Sequence, residues 1–229
     1  MLCLLLAVLV SATAAEPPRV RAARSAREAA VRALFARAQI DYPAAGLLLR
    51  AFKQEGQLEV WARSQGPLAL IATYPICARS GGPGPKRRAG DGQVPEGFYQ
   101  VTQLNPASSF LLSLRVSYPN KSDRLLGGKS LGGDIFIHGD CVTIGCIPIQ
   151  DGPIQELYLM ATDARPGPID VHIFPARMTG AGWAALRQQA APGLRAFWEN
   201  LREGYLFFEE RHTAPRVAID ARGRYSFQF

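Results

Sequence analysis

From residue 47 the chain alternates short β-prone runs with turn formers: LLLRAF, QLEVWAR, LALIATYPIC, GFYQVTQL, SLRVSYP and GGDIFIHG are parted by Gly, Pro, Asn and Ser. Apolar runs of this length predict the strands of an antiparallel-rich sandwich or barrel. Upstream, EAAVRALFARAQI brings Val31, Leu34, Phe35 and Ala38 round at helical spacing, which predicts a short amphipathic helix with its arginines on a solvated face. Downstream the helical period returns in IQELYLMATDA, GWAALRQQ and LRAFWENLREGY, while IDVHIF reads as one more strand and ARGRYSFQF as a last one. The expectation is an α+β, mainly β protein. A helical segment at 16–46 precedes a β-sandwich domain at 47–178, and a helical extension follows at 179–229. Trp61, Trp183, Trp198, Phe197, Phe207 and Phe208 fall at strand or helix spacing and read as packing groups. His172 alternates with Val171 and Ile173, which predicts a side chain pointing outward.

Composition changes the picture at the start of the chain. The 229 residues are 48% hydrophobic and 20% charged, the balance of a folded domain. Residues 2–10, LCLLLAVLV, are too short an apolar run to span a bilayer, and SATAAEPP follows with small residues suited to cleavage. Residues 1–15 therefore read as a signal peptide, which predicts an exported protein of the periplasm or cell envelope whose membrane contact is through that segment alone. The net charge of +7 favours an anionic partner. An export signal, scattered basic residues and no binding motif argue against nucleic acid. Cleavage removes Cys3 and leaves Cys77, Cys141 and Cys146 where paired cysteines oxidise. Three is odd, so one thiol stays free or pairs outside the chain.

IHGDCVTIGCIPI, residues 137–149, gathers the candidate chemistry. His138 ends a strand, and GDCVTIGC forms the loop toward the next helix. Zinc fits worst, because H-x2-C-x4-C has no second pair and His172 and His212 lie far along the chain. A Cys141–Cys146 disulfide fits an exported loop of this length. A cysteine nucleophile with a histidine base fits as well, and on local chemistry Cys146 suits it better than Cys141. Gly145 lets the backbone turn tightly before Cys146, and the following helix N-terminus favours a thiolate. Asp140 disfavours one at Cys141.

The same segment resembles the signature of the L,D-transpeptidase catalytic domain family (YkuD type), in its YafK-like branch. YPICARSGGPGPKRRAGDGQVPEGFY, SYPNKSDR, VHIFPARMT and FWENLREGYLFFE resemble further stretches of that branch, in order, across most of residues 47–215. The resemblance implies that Cys146 forms a thioester with a peptidoglycan stem peptide, that His138 is its base, and that the Gly139 carbonyl orients the imidazole. It also implies that Gly145 and Cys146 offer oxyanion amides. The family commonly has His before the Gly-Cys pair and a polar residue two positions after the Cys, where this chain has Ile144 and Pro148. In this frame Lys86, Arg87 and Arg124, with Arg79, Arg88, Lys121 and Lys129 around them, could hold stem-peptide carboxylates, and Asp123 or Asp91 an amino group. Neither cofactor nor metal is implied. Hydrolysis, including release of a wall-attached lipoprotein, and a silent wall-binding module are the alternatives to transfer.

Overall fold

The chain is described by a computed structural model covering residues 15–228. The export-signal reading of residues 1–15 lies, Ala15 apart, outside the described residues. Among those residues no helix is long and apolar enough to cross a membrane.

The β-prone runs become strands where the sequence predicts them, and β7, at the end of the segment read as a loop, is added. They are β1 (Gly46–Phe52), β2 (Gln57–Arg63), β3 (Ala69–Pro75), β4 (Gly97–Asn105), β5 (Ser113–Val116), β6 (Ile135–His138), β7 (Ile147–Pro148) and β8 (Asp170–Phe174). They form one sheet in the order β3-β2-β1-β8-β4-β5-β6-β7. Most neighbours are antiparallel, but β1 and β8 run parallel, as do β6 and β7. Strand β4 is the corner. Its first half, from Gly97 to Gln100, pairs with β8, and after a register shift between Val101 and Gln103 its second half pairs with β5. An irregularity of this kind raises local twist and lets a sheet curl. The curl brings the two edges together, for Ile76 beyond β3 bridges to Ile149 beyond β7.

Two cores lie on the two faces of the sheet. One gathers Leu49, Ala51, Val60, Val171 and Ile173 with the helices α1 (Pro18–Arg37) and α3 (Asp151–Asp163). Val31 and Phe35 of α1 are fully buried there, with Leu34 and Ala38 packed beside them, as the helical spacing implies. The other joins Phe52, Phe98 and Phe174 to α4 (Gly180–Gln189) and α5 (Pro192–Arg211) through Trp183, Trp198 and Tyr205. The arginines of α1 are not all solvated. Arg24 makes paired hydrogen bonds to Asp163 at 2.7 Å and ties α1 to α3.

His172 corrects the outward expectation. It is 2% exposed and lies against Phe98 and Phe174. Alternation predicts an outward side chain only where one face of a strand meets water, and β8 is central, with a core on each side. Arg50, 1% exposed, shares this layer between the rings of Phe52, Phe174, Tyr205 and Phe208. Chain end and sheet meet through a hairpin, β9 (Arg216–Ile219) with β10 (Tyr225–Gln228), whose Tyr225 is buried against Phe98.

One short helix, α2 (Lys121–Leu126), has no counterpart in the hydrophobic pattern, and its six residues are held by a capping box. The Asn120 side chain accepts from the Asp123 N–H, and the Asp123 carboxylate accepts from the Asn120 N–H, each at 3.0 Å. These contacts satisfy N-terminal donors that a helix cannot satisfy within itself.

Candidate active site

The parallel register of β6 and β7 sets Ile137 beside Ile147 and His138 beside Pro148. Cys146 stands at the bend one residue before β7, and so next to Phe136, two residues before His138 on β6. A backbone hydrogen bond from Phe136 to the Cys146 thiol agrees with that placement. Cys146 is the free cysteine among the described residues and is half-buried. Cys77 and Cys141 form a disulfide, so the Cys141–Cys146 pairing left open by the sequence is replaced by a link across 64 residues. That link lies at the seam where the sheet edges meet, and the Cys77 N–H also donates to the Pro148 carbonyl at 3.1 Å.

His138 is 1% exposed. Its Nδ1 stands 2.5 Å from the carbonyl oxygen of Gly139. A carbonyl only accepts, so Nδ1 carries the proton and Nε2 keeps its lone pair. Phe110 stacks on the ring at 4.5 Å between centroids. The Gly139 N–H bonds in turn to the carbonyls of Phe110 and Leu112. A Cβ at Gly139 would lie 2.7 Å from Asp151 Oδ1 and 2.8 Å from the Phe110 carbonyl oxygen, so no larger residue fits without moving the backbone that holds the imidazole.

The loop from Asp140 to Gly145 is shaped by local bonds. Asp140 adopts φ +63 and its N–H is taken by Asp151 Oδ1 at 2.9 Å. Thr143 Oγ1 donates to the Cys146 carbonyl at 2.9 Å and accepts from the Gly145 N–H at 3.2 Å. Gly145 has φ +137, a conformation that favours glycine. Ile144 is 90% exposed at the loop tip, whereas Pro148 is buried in β7, where it needs no N–H.

Electrostatics set both groups at rest in their neutral forms. Burial holds the His138 imidazole below its ordinary value, against the opposing pull of the Gly139 carbonyl and Asp140. Burial likewise pushes the Cys146 thiol up, and the Phe136 hydrogen bond and the Lys86 ammonium offset part of that rise. Where a neutral thiol works with a neutral imidazole, the base must take the proton as the sulfur attacks.

Cys146 forms part of the wall of a cavity of about 210 Å³, with Ala51, Ile76, Val94, Ile147 and Pro175 among its apolar neighbours. The cavity is framed by residues 78–83, a stretch the sequence reading includes in its family resemblance but to which, apart from Arg79, it gives no role. One wall is held by Glu96 of the PEGFY motif. Its carboxylate is fully buried and accepts from Lys53 Nζ, the Gly84 N–H and Trp198 Nε1 at 2.9, 2.9 and 2.7 Å.

Over 183 residues the chain is 37% identical to "Putative L,D-transpeptidase YafK" of Escherichia coli strain K12, covering 77% of this chain and 72% of the relative. The chain belongs to the L,D-transpeptidase family. That is a family of cell-wall enzymes. The same protein of Escherichia coli O157:H7 matches equally, and no family model matches the chain. Looser likenesses extend to the helical cell shape determining protein Pgp2 of Campylobacter jejuni in its K307A form (20% identity, TM-score 0.48, 64% of this chain, 55% of that one). They extend also to L,D-transpeptidase 1 of Mycobacterium tuberculosis (13% identity, TM-score 0.33, 56% of this chain, 61% of that one). The likeness covers 55% of the solved Pgp2 chain in its K307A form and 80% of it in the other solved Pgp2 structure, and family membership rests on the sequence relative alone.

Of the residues that the sequence reading offers for substrate binding in this L,D-transpeptidase chain, Arg79 lines the cavity at Cys146, whereas Lys86, Arg87, Arg124 and Asp123 do not. Lys86 is 5% exposed and donates to Asp91 and the Arg88 carbonyl. Against the effect of burial, that ammonium and the N–H groups of Arg87, Arg88 and Gln93 hold the Asp91 carboxyl down to about 2. Asp123 is fully buried in the α2 cap, receives the Tyr99 hydroxyl at 3.0 Å, and is pushed up to about 6 by burial. Arg87 reaches Asp123 at 3.4 Å and lies over the Phe197 ring, while Arg124 is exposed on α2. Residues that sequence reasoning missed are Phe110, Thr143 and Asp151. Of these, Thr143 carries a readable signal, a hydroxyl two residues before a glycine in a turn.

Proposed function

We propose that the chain catalyses cysteine-dependent acyl transfer on peptidoglycan stem peptides in the cell envelope, after export. The observation that carries this reading is a free, half-buried thiol one residue before β7, the strand that pairs with the β6 ending in a histidine whose Nδ1 is fixed by a carbonyl. His138 Nε2 takes the Cys146 proton as the sulfur attacks a stem-peptide carbonyl carbon. The tetrahedral oxyanion is held by backbone N–H groups, the Cys146 N–H first and the Gly145 N–H once Thr143 releases it. Collapse breaks the C–N bond, and the departing amine takes the proton from the imidazolium, leaving a thioester on Cys146. An acceptor amine then attacks the thioester, His138 takes its proton, and the thiol is restored as the new amide leaves.

Water in place of the amine gives hydrolysis, which would trim stems or free a wall-attached lipoprotein. Ile144 and Pro148 favour this as the second reading, since neither can hydrogen-bond an incoming amine through its side chain. Incubation with purified peptidoglycan, with and without bound lipoprotein, followed by mass analysis of the fragments, separates the two. New cross-links or new anchored products indicate transfer, and free lipoprotein or shortened stems indicate hydrolysis. Either must vanish with Cys146→Ala. A folded Cys146→Ala protein that keeps the activity, or wild type that leaves the wall unchanged as a silent binding module would, sinks the proposal.

A further inference from the structure

We infer that the cavity beside Cys146 is a subsite for an aliphatic peptide segment that carries a carboxylate, and that Arg79 is the group that holds this carboxylate. The inference rests on the acyl-transfer reading for what the segment belongs to. Its own basis is the charge and shape of the cavity.

The floor is apolar, formed by Ala51, Ile76, Val94 and Ile147, so the atoms it would bury are aliphatic. No residue that lines the cavity is acidic, and two are cationic. Lys53 is committed elsewhere, since its ammonium is bonded to the Glu96 carboxylate and to the carbonyls of Gly84 and Val94. Arg79 is different. It is exposed, and among the described residues it makes no ion pair. Its contacts are backbone carbonyls: one nitrogen donates to Gln54 O at 3.1 Å and the other to Glu55 O at 3.3 Å. Of the Glu55 carboxylate, Oε1 is engaged by the Arg177 N–H at 2.9 Å, while Oε2, among the described residues, is buried without a hydrogen bond and makes no ion pair with Arg79.

A guanidinium has five N–H groups, so two such bonds leave three, in a fork that matches a carboxylate. The turn between β1 and β2 is shaped for the side chain. A Cβ on Gly56 would lie 2.2 Å from an Arg79 guanidinium nitrogen, and glycine there, at φ +64, leaves the space open. Arg79 is thus positioned before a ligand arrives, which lowers the cost of binding. Ser80, next along the wall, has a hydroxyl with no protein partner. Two carboxylates of a stem peptide lie near the reacting carbonyl: the side-chain carboxylate of a diamino-acid donor residue and the terminal carboxylate of the residue that leaves.

Charge-selective alkylation tests the subsite without any wall substrate. Iodoacetate and iodoacetamide both alkylate Cys146 by forming a C–S bond and expelling iodide, and they differ by one carboxylate. The ratio of the two rates at Cys146 should fall about fivefold in Arg79→Gln, the order expected for one partly screened charge pair, and should stay near wild type in Arg79→Lys. An unchanged ratio in Arg79→Gln overturns the inference.

Stem tetrapeptides with the side-chain carboxylate amidated, or with the terminal carboxylate amidated, assign the source. The amide at the held position should raise KM in wild type with little change in kcat, and Arg79→Gln should then have no further effect. If neither amide changes KM, the inference also fails. An unchanged ratio in a protein that still turns over peptide, and loses that turnover with Cys146→Ala, removes the subsite and leaves the acyl-transfer reading standing. A Cys146 that resists both reagents and turns over no peptide removes both.

Discussion

Two histidines in this fold occupy similar surroundings and offer opposite chemistry. His138 and His172 both lie on sheet strands, 1% and 2% exposed, both lean on phenylalanine rings, and burial lowers the pKa of both. The difference lies in position and partner. His138 ends β6 at the seam of the curled sheet, has Nδ1 fixed by the Gly139 carbonyl, and belongs to the strand that pairs with β7, which a free thiol precedes by one residue. His172 sits within the central strand β8, its Nδ1 has no partner, and its charged neighbour is the Arg50 guanidinium, which opposes protonation. Burial alone therefore does not make a histidine a base. One nitrogen must be fixed by a partner, and the other must face a reacting group that substrate can reach.

The most severe test removes the groups themselves. Cys146→Ala should abolish turnover. His138→Gln should lower it by roughly 10²–10⁴-fold, the usual contribution of a positioned general base, and should slow iodoacetamide labelling of Cys146. His172→Phe, which keeps a ring against Phe98, should change turnover by no more than about twofold, since a packing substitution distant from the thiol leaves the reacting geometry intact. If His172→Phe inactivates a folded protein as deeply as His138→Gln does, the contrast between the two sites is wrong.

Gly139→Ala asks how much the fixed nitrogen matters. The added methyl would press on the Phe110 carbonyl and on Asp151, both part of the frame that carries the Gly139 oxygen. A displacement near 1 Å at a reacting group costs on the order of 10²-fold, so turnover should fall by about that much while the far-ultraviolet circular dichroism stays native. A rate within about twofold of wild type, against that same scale, would mean that the carbonyl does not position the ring.

Acidification separates the histidines again. The His138 value is lowered, so the base stays free below the ordinary histidine value, and the acid limb of kcat/KM should lie below pH 6.5. His172 is held down to about 3 by burial and by the Arg50 charge. The unfolded chain takes up that proton near 6.5, the folded chain only near 3, so stability is full above 6.5 and falls as pH drops through the interval. His172→Phe should flatten that fall, read as the urea midpoint against pH, and leave the acid limb of activity in place. An acid limb that moves with His172→Phe would assign it to the wrong histidine.

These two residues also show how far the sequence could be read. His138 and Cys146 stand out in the sequence as candidates because histidine, glycine and cysteine are near neighbours in the chain, so spacing and chemistry act together. The strands from β1 to β6 were legible for the same local reason. His172 was misread because alternation says which neighbours share a face, and not whether a helix covers it. Asn120 and Asp123 stand three residues apart, the spacing of a capping box, but the sequence reading gives Asp123 to a substrate amino group, and the α2 contacts occupy it instead. The cavity draws its walls from β1, residues 78–83, the irregular segment before Glu96 and β7, and no local pattern joins segments so far apart.

The Cys77–Cys141 bond lay beyond spacing for that reason too, and its removal is the mildest test at the His138 site. Cys141 sits in the loop between the histidine and the free thiol, and Cys77 begins the wall that continues through Ala78 and Arg79. The loop keeps other anchors when the bond is lost. Asp151 still holds the Asp140 N–H, and Thr143 still bonds to both Gly145 and Cys146. Cys141→Ser should therefore lower turnover only several-fold, within the range of about 1–2 kcal/mol that a partly redundant constraint contributes. The global cost should be larger, about 2–5 kcal/mol by urea unfolding, because a link across 64 residues restricts the unfolded chain. Cys77→Ser should match it on both counts, and Cys141→Ser should leave the His172 region's acid sensitivity unchanged. A Cys141→Ser protein that is folded but inactive, beside an active Cys77→Ser protein, would mean that Cys141 acts in the chemistry and that Cys146 is not the thiol His138 serves.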